Sequence, residues 1–116
     1  MIMNLWIDDD PNRKSPDGWF VARDSATALL FVATFHNTLE SISFDHDLGG
    51  GDTSVPVVDY IERMAWRGEF NTPITMTVHS ANPVGAKRIQ RAIDQTYKWW
   101  GLHDDVRNAL SKGIKS

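Results

Sequence analysis

No cysteine occurs in the 116 residues, which excludes a disulfide framework and a thiolate metal site and leaves the redox compartment open. Long apolar runs are missing as well, so no window reaches the roughly eighteen residues of a membrane span. The start, Met1-Ile-Met-Asn-Leu-Trp-Ile, runs straight into Asp8, Asp9 and Asp10, without the cationic flank or apolar length of a signal peptide. A soluble cytoplasmic protein is expected. Charge of one sign is also scarce: 12 Lys and Arg stand against 15 Asp and Glu, a net charge of -3. Lys87, Arg88 and Arg91 form a small local cluster, but there is no basic stripe of the kind that grips duplex nucleic acid. Internal repeats and low-complexity segments are absent. A chain of this length is a single domain, residues 1–116, able to bury one core without staples.

What is present is a thrice-repeated pattern of a β-prone run ending in polar groups. Leu5-Trp6-Ile7 runs into Asp8-Asp9-Asp10, Ile42-Ser43-Phe44 into Asp45-His46-Asp47, and Ile74 to Val78 into His79-Ser80-Ala81-Asn82-Pro83. Open α/β sheets place their chemistry at such strand ends. Trp19 to Ala22 reads as a further, brief strand at an edge. Ser25 is a candidate N-cap for a helix to about Phe35 that is apolar nearly all round and needs cover on more than one side. A second helix is expected from Val55 to Arg67, with Pro56 in its first turn and Gly68 at its end. A third begins at Pro83, capped by Asn82, and stops at Gly101, leaving 102–116 as a helical tail that could close over a ligand. Strand and helix alternate in the later half, which predicts an α/β fold: a parallel sheet of about four strands flanked by helices.

Five carboxylates, Asp8, Asp9, Asp10, Asp45 and Asp47, fall at two strand ends and repel one another unless a cation sits among them. Hard oxygen donors without thiolates suit Mg²⁺ or Mn²⁺. Asp10, just before Pro11, reads better as a turn residue than a ligand. His46 and His79 add imidazoles for acid and base work near neutral pH. Strand alternation sends Asp45 and Asp47 to one side and His46 to the other. Ser80, Asn82 and the N–H groups of the helix starting near Pro83 make a phosphate site, with Lys87 and Arg88 one turn in. Gly49-Gly50-Gly51 lacks the Lys-Ser/Thr of a P-loop and reads as a flexible turn. His36, His103, Trp66, Trp99 and Trp100 read as capping, surface or core residues.

These residues, with Gly18-Trp19, Ala22-Arg23-Asp24 and His79-Ser80-Ala81-Asn82-Pro83-Val84-Gly85, resemble the cyclic-phosphate processing receiver domain family over about Asn4 to Ile93. The resemblance implies a flavodoxin-like, receiver-like sheet. It aligns Asp8 and Asp9 with a receiver's metal-binding acidic pair, Asp45 with the phosphoacceptor position, and Ser80 with the hydroxyl after the fourth strand. Two departures argue against aspartyl-phosphate signalling. No clear helix separates the first two strands, and no fifth strand ends in the Lys with which receivers sense the phosphoryl group. Two histidines stand in the site instead.

The expected function is a metal-dependent phosphoesterase acting on a cyclic nucleotide or a 2′,3′-cyclic end, of the kind by which a bacterial or phage protein removes a nucleotide signal. Asp8, Asp9 and Asp45 hold the Mg²⁺ or Mn²⁺ in this reading. His79 protonates the leaving oxygen with His46 as its partner, Asp47 orients an imidazole or completes the metal shell, and Ser80, Asn82, Lys87 and Arg88 bind phosphate. The alternatives are a module that sequesters a cyclic nucleotide unaltered, and a degenerate receiver that serves as a protein-interaction surface.

Overall fold

The computed structural model describes residues 2–115. Its elements are β1 (Met3–Ile7), β2 (Phe20–Ala22), α1 (Ser25–Phe35), β3 (Leu39–Phe44), α2 (Val55–Trp66), β4 (Thr75–Val78) and α3 (Pro83–Lys115). The four strands form one parallel sheet in the order β2-β1-β3-β4, a receiver-like, flavodoxin-like arrangement. β2 is an edge strand, as its brevity predicted. Residues 8–19 join β1 to β2 without a helix.

The register sorts the side chains into two faces. Leu5, Ile42 and Met76 lie side by side across the sheet, as do Ile7, Phe44 and Val78, and all but the half-buried Val78 are buried. Asn4, Ser41 and Thr75 form a row on the opposite face, and Trp6, Ser43 and Thr77 another. The crossovers from β2 to β3 and from β3 to β4 carry α1 and α2, which cover the apolar face; α1 packs on α2 and α2 on α3. The core is therefore one layer of Leu5, Ile7, Ile42 and Phe44 against Val57, Val58, Ile61, Ile89 and Ile93. Tyr97 covers the exposed edge of β4: its hydroxyl accepts from Met76 N at 2.7 Å.

Several expectations need correction. The cap of α1 is Asp24, whose Oδ1 accepts from Thr27 N at 2.7 Å, and Ser25 is the first helical residue. α1 is covered by α2 and by β2, with Ala28 and Val32 buried, but its apolar surface is not covered all round: Leu30 is 70% exposed. Gly101 does not end α3, which continues unbroken to Lys115. A helical glycine costs only about 1 kcal/mol, and contacts on both sides of Gly101 outweigh it. Trp100 Nε1 donates to Phe70 O at 2.7 Å, and His103 Nε2 lies 2.7 Å from Trp66 O at the end of α2. The tail does not close over the sheet's polar ends either. α3 starts beside them and runs away for about 50 Å at 1.5 Å per residue. Among the described residues no helix is long and apolar enough to cross a membrane.

The glycine loop is ordered rather than slack. Gly49, Gly50 and Gly51 all have positive φ, Leu48 N donates to Asp52 O, and Asp47 bridges Thr53 across a narrow hairpin. Asp52 then ties this hairpin to the start of α1, accepting from Ser25 N at 2.8 Å and from Ser25 Oγ at 2.6 Å. Those bonds lower the Asp52 pKa from its ordinary 3.8. A carboxylate held low stabilises the fold above the unfolded value, and that contribution is lost as pH falls through the lower folded value. The melting temperature is therefore expected to drop below about pH 4, and Asp52→Asn to flatten that part of the profile. Superimposable profiles of the two proteins in thermal melts from pH 2 to pH 6 refute this assignment.

Candidate metal and phosphate site

Because the strands are parallel, β1, β3 and β4 deliver their polar ends to one edge of the sheet, beside the first turn of α3. Asp8 follows β1 and is sealed from solvent, at 0% exposure; Asp45 follows β3 and is 6% exposed. One carboxylate oxygen from each of Asp8, Asp9 and Asp45 lies within 4.8 Å of the other two, the spacing at which one cation touches all three. Gly49 makes room for Asp9: a Cβ there would come 2.9 Å from Asp9 Oδ2. A cleft of about 550 Å³ opens over the group, lined by Asp9, Asp45 and Asp47 together with Arg13, Ser80 and Asn82. Burial and the adjacent charge of Asp8 raise the Asp45 pKa, while Arg13, His79 and a bond from Ser80 work against them. Two neighbouring buried carboxylates with Asp9 at their edge are an all-oxygen donor set that fits a hard divalent ion.

The two histidines part company. His79 lies behind the carboxylates and does not line the cleft, with Nε2 3.0 Å from Asp8 Oδ2 and Nδ1 2.7 Å from Ser43 Oγ. A carboxylate only accepts, so Nε2 carries the proton and Ser43 donates to Nδ1, itself accepting from Thr77 Oγ1 at 3.2 Å. The ring stacks on Trp6 at 3.7 Å between centroids, nearly parallel. Burial lowers the His79 pKa, only partly opposed by Asp8, which favours the neutral ring. Both ring nitrogens of His79 are thus engaged within the protein, one with Asp8 and one with Ser43.

His46, two residues beyond the end of β3, lies in a hollow of about 450 Å³ next to the cleft. Its Nδ1 is 3.0 Å from Asp47 Oδ1, and Asp47 Oδ2 accepts from Asn82 Nδ2 at 3.2 Å. Asn82 Oδ1 in turn caps α3 through Gly85 N at 3.1 Å. The bonds from His46 and Asn82 hold the Asp47 carboxyl below its ordinary range. Nδ1–H therefore points at Asp47, and Nε2, which has no partner among the described residues, is the open nitrogen. Gly85 explains itself here: a Cβ there would sit 2.3 Å from His46 Cγ, so only glycine lets the ring rest on the helix.

Ser80 and Asn82 line the cleft, whereas Lys87 and Arg88 line the His46 hollow, and Arg88 is paired with Asp59 of α2 at 2.8 Å. Asp10 is a turn residue, as expected from Pro11: its Oδ1 accepts from Asn12 N. Arg13, Arg23, Trp6 and Ser43 escaped the sequence reading. Arg13 Nη1 bridges Asp8 Oδ2 at 3.1 Å and Asp45 Oδ2 at 3.3 Å. Arg23 donates to the carbonyls of Asp8 and Asp10, holding the loop in place. Ser43 carried a signal, a hydroxyl inside an otherwise apolar strand; Arg13 sits in a loop whose path no local pattern specifies.

Residues 3–95 match the family model described as the cyclic-phosphate processing receiver domain. The chain belongs to this family. Neither the curated proteins nor the solved structures contain a match. As a receiver domain it carries the acidic cluster at the expected strand ends, and the final turns of α3 lie beyond the matched residues.

Proposed function

We propose that this receiver domain is a phosphoesterase that opens a cyclic phosphate with the help of Mg²⁺ or Mn²⁺. The observation that carries the reading is the convergence of Asp8, Asp9 and Asp45 within 4.8 Å, under a cleft whose wall includes the Asp47 partner of His46. Phosphate oxygens do not enter a cleft lined by carboxylates without a cation between them. A bound Mg²⁺ or Mn²⁺ supplies charge to those oxygens and acidifies water.

The protein's own groups do the rest. Asp8 is held at a fixed angle by His79 and the amide of Asp10. Ser80, with Ala81 and Asn82 just before α3, lines the cleft where the phosphate would enter. His46, held by Asp47 in the hollow that adjoins the cleft at Asn82, offers its open Nε2 to take a proton from water and return one to the leaving oxygen of a substrate that spans cleft and hollow. Water adds to phosphorus, the ring P–O bond breaks, and the freed ribose oxygen leaves as a hydroxyl. The cleft volume suits a cyclic nucleotide or a 2′,3′-cyclic end.

³¹P NMR tests the reading. The protein is mixed with 2′,3′-cyclic, 3′,5′-cyclic and cyclic dinucleotide substrates, each with Mn²⁺, Mg²⁺ or chelator. One substrate is expected to give a new ester resonance that requires the metal. Resonances that only broaden, without a product, point instead to a sequestering module.

A further inference from the structure

Asp8 and Asp45 lie side by side and nearly out of water, and among the described residues the guanidinium that pairs with both is Arg13. Its Nη1 stands in the gap where a cation would meet these carboxylates. It leaves the third, Asp9, without a hydrogen-bond or ion-pair partner among the described residues. A single charge on a side chain 37% exposed thus does part of a divalent ion's work. Arg13 is carried by the β1–β2 loop, so its movement costs no core contact.

The same side chain also borders a second hollow, of about 240 Å³, beside Trp6. Lys14 and Arg23 line it too. Lys14 has no ion-pair partner among the described residues, and Arg23 bonds only to backbone carbonyls. Three cationic side chains around one hollow attract an anion, provided Arg13 is not already neutralised by Asp8 and Asp45.

We propose that Arg13 is the resident cation of the cleft, closing the Asp8–Asp45 pair until a divalent ion displaces it and then turning to complete, with Lys14, a site for phosphate oxygens beside Trp6. The inference rests on the cation-dependent reading above. It makes metal and phosphate binding cooperative through one side chain, because the ion that takes the carboxylates releases the guanidinium.

The test is isothermal titration of Mn²⁺, and then of inorganic phosphate in the presence of Mn²⁺, into the wild type, Arg13→Ala, Arg13→Gln and Lys14→Ala, each checked for folding by far-UV circular dichroism. Both Arg13 variants are expected to bind Mn²⁺ on the order of tenfold more tightly than the wild type, and phosphate on the order of tenfold more weakly. Lys14→Ala is expected to keep the wild-type Mn²⁺ affinity and to lose phosphate affinity. Arg13→Gln retains a donor toward Asp8, so unchanged or weaker Mn²⁺ binding in that protein overturns the proposal. Unaltered phosphate binding in Lys14→Ala overturns the second site. If no protein in the series binds Mn²⁺, the cation-dependent function falls as well; if all bind it equally, only the role of Arg13 does.

Discussion

His46→Ala is expected to slow hydrolysis of the cyclic phosphate about 10²–10⁴-fold while leaving Mn²⁺ affinity unchanged. In the proposed reading the open Nε2 of His46 transfers the proton, and the carboxylates that would hold the ion touch neither His46 nor Asp47 in the hydrogen-bond network. His79→Ala is expected to behave in the opposite way. Losing the bond to Asp8 Oδ2 frees the most buried of the three carboxylates, so Mn²⁺ binding weakens and added Mn²⁺ restores turnover. Rates measured across a Mn²⁺ titration separate the two. A His79→Ala protein that stays inactive at saturating Mn²⁺, beside an active His46→Ala protein, returns the proton donor's role to His79.

The second large effect is on stability. Phe44→Ala is expected to cost about 3–5 kcal/mol, a large share of the roughly 5–15 kcal/mol available to a domain. Phe44 is fully buried in β3, between Ile7 and Val78 in the register, and its carbonyl accepts from His79 N at 2.9 Å. The cavity would open directly beneath Asp45, the next residue, so Mn²⁺ binding should weaken along with the fold. Leu30→Ala provides the contrast: at 70% exposure its change stays within about 0.5 kcal/mol. Urea unfolding of both proteins decides the matter, and similar midpoints for the two would refute the single-layer core.

Much of this was legible because the signals were local. Pro56 and Gly68 bracket α2, Asn82 caps α3 through Gly85 N, and the alternation of Leu5 and Ile7 with Asn4 and Trp6 declares a half-buried strand. The misreadings arose where a local preference met a distant contact. Gly101 is a reasonable stop until Trp100 reaches Phe70 and His103 reaches Trp66. α1 is apolar nearly all round and still leaves Leu30 exposed, because composition records apolar residues and not how many neighbours arrive to bury them.

Within the site the same division holds. The sequence by itself determined that three apolar strands end in carboxylates, imidazoles and hydroxyls, and that those ends meet if the sheet is parallel. Strand polarity and period are properties of a few consecutive residues, so they are written locally. Only the tertiary structure decided who serves whom. It turned His79 inward to Asp8 and Ser43, left Nε2 of His46 open, and brought Arg13 into the gap between Asp8 and Asp45. A hydrogen-bond partner depends on which remote segment crosses a given strand end and on how each ring rotates there. Those choices are made by the packing of the whole chain, where a buried charge accepts whatever partner the fold can bring within about 3 Å.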